Sequence, residues 1–184
     1  MGLGRMGETH LRNLGAISGV RVVVVADPQA ERAERGRVMS GAESALTEPE
    51  KAIEHPGVDA VVIVTPTDTH ARLIEVAANA GKAVFSEKPI ALDLAETQRA
   101  VRLVQERNVP VQLGFMRRCY DHYENFPDRF EAGYRLQLEA FFAALREGRT
   151  PTPGPEDALE TLRMAVAATK SWREKRPVKI SEIT

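Results

Sequence analysis

A single cysteine, Cys119, excludes any disulfide within the 184-residue chain, and the lack of a Cys and His cluster argues against a structural zinc site or any other bound metal. Charge of one sign is also scarce: 25 Lys and Arg stand against 26 Asp and Glu, a net charge of -1, which leaves no basic footprint for a nucleic-acid backbone or an anionic membrane. No apolar run approaches the ~20 residues of a membrane span, and Gly and Arg occupy the N-terminus where a signal peptide would place its apolar stretch. These absences point to a cytoplasmic protein with neither nucleic acid nor membrane as partner. What remains, 43% hydrophobic and 28% charged residues, is an ordinary globular composition in a chain long enough to bury about 70% of its unfolded surface.

The rhythm of the sequence changes once. Up to residue 118, short β-branched runs alternate with helical stretches; after it only helix signals remain, so the expected division is 1–118 and 119–184. Strands are predicted over residues 21–26 (RVVVVA), 59–64 (DAVVIV), 82–85 (KAVF) and 109–113 (VPVQL), with a weak one at 44–46. The first two are continuous apolar runs, as expected of parallel strands covered on both faces. Helices are predicted at 8–17, 29–40, 48–54, 69–80 and 94–107, the fourth capped by Thr67 or Asp68 and the fifth by Asp93. Strands separated by such helices give right-handed crossovers, hence an α/β fold with a doubly wound parallel sheet.

Beyond residue 118 an irregular aromatic stretch leads to a helix at 129–147, where Tyr134, Leu138, Phe141, Phe142 and Leu145 recur at helical spacing and form a packing face. Pro155 suits the first turn of a last helix reaching about residue 173, with Leu159, Leu162, Val166 and Trp172 expected on one side. Neither helix has a sheet of its own, so both must lie on something else, and uncovered apolar faces would make the chain associate.

Residues 2–7 read G-L-G-R-M-G, a G-x-G-x-x-G in which Gly2, Gly4 and Gly7 allow a tight turn, a close pyrophosphate and close helix packing. Glycines can also simply turn a chain. Here, however, they open a helix, precede a strand, and have Asp27 twenty positions after Gly7 (27 minus 7), where a carboxylate can bind both hydroxyls of an adenosine ribose. A carboxylate there repels a 2'-phosphate, and no Arg follows it directly, which favours NAD over NADP. The motif should follow a strand, yet only Met1 precedes it, so the first strand of a Rossmann-type sheet is missing. In the order 3-2-1-4-5-6 its absence opens a gap of ~9.6 Å between strands 2 and 4. A start upstream, a strand from another segment or chain, or direct pairing of strands 2 and 4 would each close it; the first is the expectation.

Together with residues 64–67 (VTPT) and His70, Glu87-Lys88-Pro89, and residues 112–118 (QLGFMRR), these motifs resemble the Gfo/Idh/MocA oxidoreductases, especially the inositol 2-dehydrogenase-like members. The resemblance spans residues 1–118 and resumes near Asn125 with helices left from an α+β substrate domain, whose middle portion has no counterpart here. It implies that Gly4, Arg5 and Met6 hold the pyrophosphate by backbone amides, that Thr65, Pro66, Thr67 and His70 line the nicotinamide side, and that Glu87 contacts the cofactor ribose. It places Lys88 by the nicotinamide and the reacting hydroxyl, where it orients the oxygen and supports proton transfer. Arg117, with Arg118, would bind substrate oxygens. By residue type alone, His70 could be a surface or capping group, Glu87-Lys88 a solvated pair, and the arginines structural.

The family's further catalytic pair, D-x-x-x-H, is absent: Asp121 leads to Asn125, Asp128 to Ala132 and Asp157 to Thr161. The adjacent Asp121-His122 is no substitute, because neighbouring side chains diverge. Two readings follow: an NAD-dependent oxidoreductase acting on a secondary hydroxyl of a polyol or sugar, with a possible homo-oligomer, or a non-catalytic remnant that binds a dinucleotide or a protein partner.

Overall fold

The structure, a computed structural model, describes residues 1–116 and 128–184, with side chains from residue 132 in the second portion. Arg117, Arg118, Cys119 and the Asp121-His122 pair lie outside the described residues.

Five strands are present among the described residues: β1 (Val24–Ala26), β2 (Ser44–Leu46), β3 (Ala60–Ile63), β4 (Ala83–Ser86) and β5 (Val111–Leu113). Seven α-helices accompany them among the described residues: α1 (Arg5–Ala16), α2 (Ala30–Ser40), α3 (Pro49–Ile53), α4 (His70–Asn79), α5 (Leu94–Arg107), α6 (Asp128–Arg146) and α7 (Pro155–Glu174). All pairing is parallel. β1 pairs with β2, and β3-β4-β5 form a second sheet. The spatial order β2-β1, β3-β4-β5 is that of a Rossmann sheet, with no strand among the described residues at its central position and no pairing of β1 with β3.

Met1 and Gly2 lie at that central position. The Met1 ammonium donates to the Val62 carbonyl at 2.7 Å, the Val64 N–H donates to the Met1 carbonyl at 2.9 Å, and the Gly2 N–H donates to the Ala26 carbonyl at 2.9 Å. This is the parallel ladder pattern on both sides at once, so Met1 and Gly2 form the last rung between the two sheets.

Both faces are covered, as continuous apolar strands require. On one face Val61, Ile63, Val84, Val111 and Leu113 pack with Ile53 of α3, Leu73 and Ile74 of α4, Val101 and Val104 of α5, and Ala158 of α7. On the other, Ala83 and Phe85 meet Leu14 of α1 and Leu138 and Phe141 of α6. β4 therefore alternates its side chains between two cores, with all four of its residues buried. A third cluster, Leu3, Leu11, Val25 and Ala42, packs α1 and β1.

The C-terminal helices lie on this scaffold. The expected face of α6 is real, with Leu138 and Phe141 fully buried and Phe142 and Leu145 partly so. The Pro153 carbonyl accepts from Leu113 N–H at 2.9 Å, so the segment before α7 bonds to β5. α7 keeps most of the expected stripe: Leu159, packed on the core, and Leu162 and Val166 are half-buried beside the buried Pro155, Ala158 and Ala167, whereas Trp172 leaves it and is 71% exposed.

Local signals explain the boundaries. The Asp93 carboxylate accepts from Glu96 N–H at 2.9 Å, capping α5 as expected, and Asn108 ends it in the left-handed conformation. The cap expected from Thr67 or Asp68 is absent, because a 3-10 turn at Thr67–Thr69 intervenes and Thr69 occupies the N-cap of α4. β1 is three residues long where six were expected, since pairing exists on one side only and begins at Val24.

Candidate functional site

Parallel strands bring their C-terminal ends to one edge, and there the chain collects its polar side chains. Asp27 follows β1, residues 64–67 follow β3, Glu87 and Lys88 follow β4, Gly114 follows β5, and α1 starts beside them at Arg5.

The glycine turn is built by exclusion. Gly2 has φ +80°, and a Cβ there would stand 2.6 Å from the Val64 carbonyl oxygen and 2.7 Å from Thr65 N. A Cβ on Gly7 would lie 1.8 Å from the Gly2 carbonyl oxygen, so α1 passes directly over the turn. Gly4 differs from both, with nothing within 4 Å of its Cβ position and an ordinary φ of -69°. Its freedom from neighbours serves the space in front of the helix. The first N–H groups of α1 lack partners within the helix and carry its positive dipole end, which suits an anion. Arg5 is exposed and Met6 half-buried at this end.

Asp27 is 4% exposed. Its carboxylate accepts from Leu3 N–H at 2.8 Å and from Gln29 N–H at 2.9 Å. One side chain thereby ties the glycine turn to the end of β1, and each oxygen keeps a second lone pair for a hydroxyl donor. The turn, the open space at Gly4 and the acid fit a dinucleotide's pyrophosphate and ribose.

Thr65 and Thr69 hydroxyls meet at 2.7 Å, and Thr69 also donates to the Pro66 carbonyl at 2.7 Å; Pro66 is exposed and Thr67 half-buried. His70 is 2% exposed. Its Nδ1 lies 2.8 Å from the Pro89 carbonyl oxygen and its Nε2 lies 2.7 Å from the Thr65 carbonyl oxygen. Rather than standing at the surface, this imidazole straps the loop after β3 to the loop after β4. Lys88 is exposed at the second loop, before a cis peptide bond to Pro89.

Glu87 has a partner that local pattern did not single out. His10, 1% exposed on α1, places Nε2 2.9 Å from Glu87 Oε1 across 77 positions of sequence. Phe85 and Tyr134 pack on the imidazole with ring centroids 5.5 and 5.4 Å away. Burial, and then the negative charge of Glu87, push the Tyr134 phenol above its usual range and keep it protonated. Gly114 completes the pocket, since a Cβ there would approach Glu87 Oε1 to 2.9 Å. A signal for His10 did exist: Gly7, His10, Leu11 and Leu14 recur at three and four residues, which puts the histidine on the buried face of α1.

Among the described residues no group of three or more His, Cys, Asp or Glu side chains could hold a metal, and no helix is long and apolar enough to cross a membrane.

Comparison with known proteins agrees with this geometry. Residues 1–115 match the model of the oxidoreductase family with an NAD-binding Rossmann fold, and residues 79–180 match that family's C-terminal alpha/beta domain. The chain is 43% identical over 134 residues to scyllo-inositol 2-dehydrogenase (NAD(+)) of Bacillus subtilis, covering 72% of this chain and 39% of that protein. It is 40% identical over 152 residues to inositol 2-dehydrogenase of Rhizobium meliloti, covering 82% of this chain and 45% of the relative. It thus spans less than half the length of these curated relatives. Among solved structures, scyllo-inositol dehydrogenase from Lactobacillus casei with bound NAD(H) and scyllo-inositol superposes with a TM-score of 0.63 at 35% identity over 65% of this chain and 36% of that one. A probable dehydrogenase from Thermotoga maritima shares the fold at a TM-score of 0.93 and 20% identity, covering 100% of this chain and 98% of that one. The Rossmann order, the glycine turn with its acid and the match over residues 1–115 converge: the chain belongs to the Gfo/Idh/MocA oxidoreductase family.

Proposed function

We propose that residues 1–118 form the cofactor-binding part of an NAD-dependent dehydrogenase that oxidises a secondary hydroxyl of an inositol-like polyol or sugar, residues 119–184 belonging to its substrate and oligomerisation part. The observation that carries this reading is the tie between Leu3 N–H and the Asp27 carboxylate, which fixes the glycine turn, the start of α1 and the ribose acid as one unit. The inositol dehydrogenases among the relatives support the substrate class.

The dinucleotide supplies the hydride acceptor. Backbone amides at Gly4, Arg5 and Met6 bind its pyrophosphate, and Asp27 binds the adenosine ribose and repels a 2'-phosphate, so NAD is preferred to NADP. Thr65, Pro66 and Thr67 form the nicotinamide side, with His70 bracing the turn from beneath. Glu87, held by His10, accepts from the second ribose. Lys88 orients the substrate hydroxyl and supports removal of its proton, and Arg117 binds a substrate oxygen. The protein works in the cytoplasm.

The missing D-x-x-x-H favours a second reading for these 184 residues: they bind the dinucleotide, or a protein partner, without turnover, because the sequence lacks the pair that would complete the proton transfer. Two measurements separate the readings: calorimetric titration with NAD, and NADH formation with myo-inositol or scyllo-inositol. Binding with turnover supports the first, binding alone the second, and the absence of binding removes both as dinucleotide proteins.

A further inference from the structure

His70 stands between two acceptors. Its ring, 2% exposed at the start of α4, has Nδ1 2.8 Å from the Pro89 carbonyl oxygen and Nε2 2.7 Å from the Thr65 carbonyl oxygen. A carbonyl oxygen accepts and never donates, so each contact is a hydrogen bond only if the ring nitrogen in it carries a hydrogen. Neutral imidazole has one N–H and one bare nitrogen; only the imidazolium has two N–H groups. With a single proton, a nitrogen lone pair would face an oxygen lone pair at 2.7 or 2.8 Å with nothing between them. Turning the ring over offers no escape, because it sets carbon atoms near the places of the nitrogens, and C–H···O contacts need about 3.3 Å or more.

The surroundings act on that charge in both directions. The amino end of α4, where His70 lies, disfavours a cation, and burial does the same. Two carbonyl oxygens aimed at the ring nitrogens favour it. On the elements packed around the ring, Glu50 pairs with Arg72, Glu75 with Arg99 and Glu87 with His10, while Asp68 and Lys88 are exposed. The two oxygens are therefore what holds the second proton.

What the ring ties together is the candidate site. Thr65 lies in the turn after β3, with Thr67 two residues on, and Pro89 directly follows Lys88 in the loop after β4. As an imidazolium the ring fixes both loops to the start of α4 at once. A neutral ring can hold one of them and must release the other.

We propose that His70 is a positioning residue that works as an imidazolium: its two N–H groups fix residues 65–67 and the Lys88-Pro89 backbone relative to each other, and loss of either proton lets one loop go. The consequence for the cofactor rests on the dinucleotide reading; the clamp itself does not. As the pH rises, loss of the proton loosens the nicotinamide side and weakens NAD binding.

Nitrogen-15 NMR of the ring, assigned through its couplings to the backbone, reads the protonation directly. At pH 7.5 a free imidazole, with an ordinary pKa of about 6.5, is mostly neutral. The expected spectrum of the NAD-free chain at that pH has both His70 nitrogens protonated. Raising the pH further should remove one proton and shift the amide resonances of Thr67 and Lys88 on the same curve. NAD affinity, followed by calorimetry, should fall about fivefold or more along that curve, and His70→Gln should lose the step. A bare His70 nitrogen at pH 7.5 overturns the proposal, as do Thr67 and Lys88 amides that ignore the titration, or an NAD step unchanged in His70→Gln. If the unsubstituted chain binds no NAD at any pH, the dinucleotide reading fails, and the ring and amide resonances still decide the clamp. If His70→Gln does not fold, the spectra of the unsubstituted chain decide alone.

Discussion

His10 Nε2 meets Glu87 Oε1 at 2.9 Å, joining the first turns of α1 to the end of β4. The contact turns a glutamate that local pattern presents as half of a solvated pair into a fixed acceptor beside the glycine turn. Replacing His10 by Ala removes the partner and opens space between Phe85 and Tyr134. The expected cost is about 2–4 kcal/mol in urea unfolding, the sum of a cavity and an unpaired buried acceptor. Glu87→Gln, which keeps a hydrogen-bonding side chain, should cost about 1 kcal/mol or less. Equal losses in the two variants would show that the contact is incidental.

The three glycines of the turn should separate folding from binding. Gly7→Ala drives a Cβ to 1.8 Å from the Gly2 carbonyl oxygen and should prevent a cooperative thermal transition. Gly4→Ala meets nothing within 4 Å and should cost only about 1 kcal/mol, the difference between Gly and the poorer N-cap Ala. The same Gly4→Ala should weaken NAD binding about tenfold or more, because the methyl group enters the space the pyrophosphate needs. Unchanged NAD affinity in this variant would place the cofactor elsewhere.

Stability should rise with pH between 6 and 8. The Met1 ammonium is protonated below about 8 when the chain is unfolded and only below about 6 when it is folded. Across that window unfolding takes up a proton, so raising the pH favours the folded state, by roughly 3 kcal/mol in total. Urea titrations at pH 6 and pH 8 measure the difference. Acetylating the α-amino group should flatten this component; an unaltered slope would assign the pH dependence to other groups.

Phe141 and Trp172 test how far the C-terminal helices are integrated. Phe141 is fully buried, its ring 5.9 Å from that of Phe85, and Phe141→Ala should cost about 3–5 kcal/mol while broadening the single transition. Trp172 is 71% exposed, and Trp172→Ala should change stability by about 0.5 kcal/mol or less. If the two substitutions cost the same, α6 is a loosely attached appendage.

Much of the fold was legible because it is local. Continuous valine runs announced buried parallel strands, Asp93 announced the start of α5, and the glycine turn with Asp27 announced the nucleotide edge. The rest depended on contacts distant in sequence. Nothing near residue 10 reveals that its imidazole will meet Glu87, and nothing near residue 70 reveals that both nitrogens of His70 will be taken by carbonyls of two different loops. On α7 helical periodicity places Leu159, Leu162 and Val166 on the inner side, where the structure has them, but it also places Trp172 there, whose ring is 71% exposed. The short β1 reflects a neighbour missing on one side, which no propensity within residues 21–26 encodes.

A working NAD site built from the glycine turn, α1 and Asp27 should be visible in thermal unfolding with NAD and with NADP, each at millimolar concentration. At ~100 times its dissociation constant a ligand that binds only the folded chain adds roughly 2.7 kcal/mol. The expected result is a clear rise in melting temperature with NAD and a smaller one with NADP, because the Asp27 carboxylate repels the 2'-phosphate. Melting temperatures unchanged by either dinucleotide, or raised equally by both, would contradict the account.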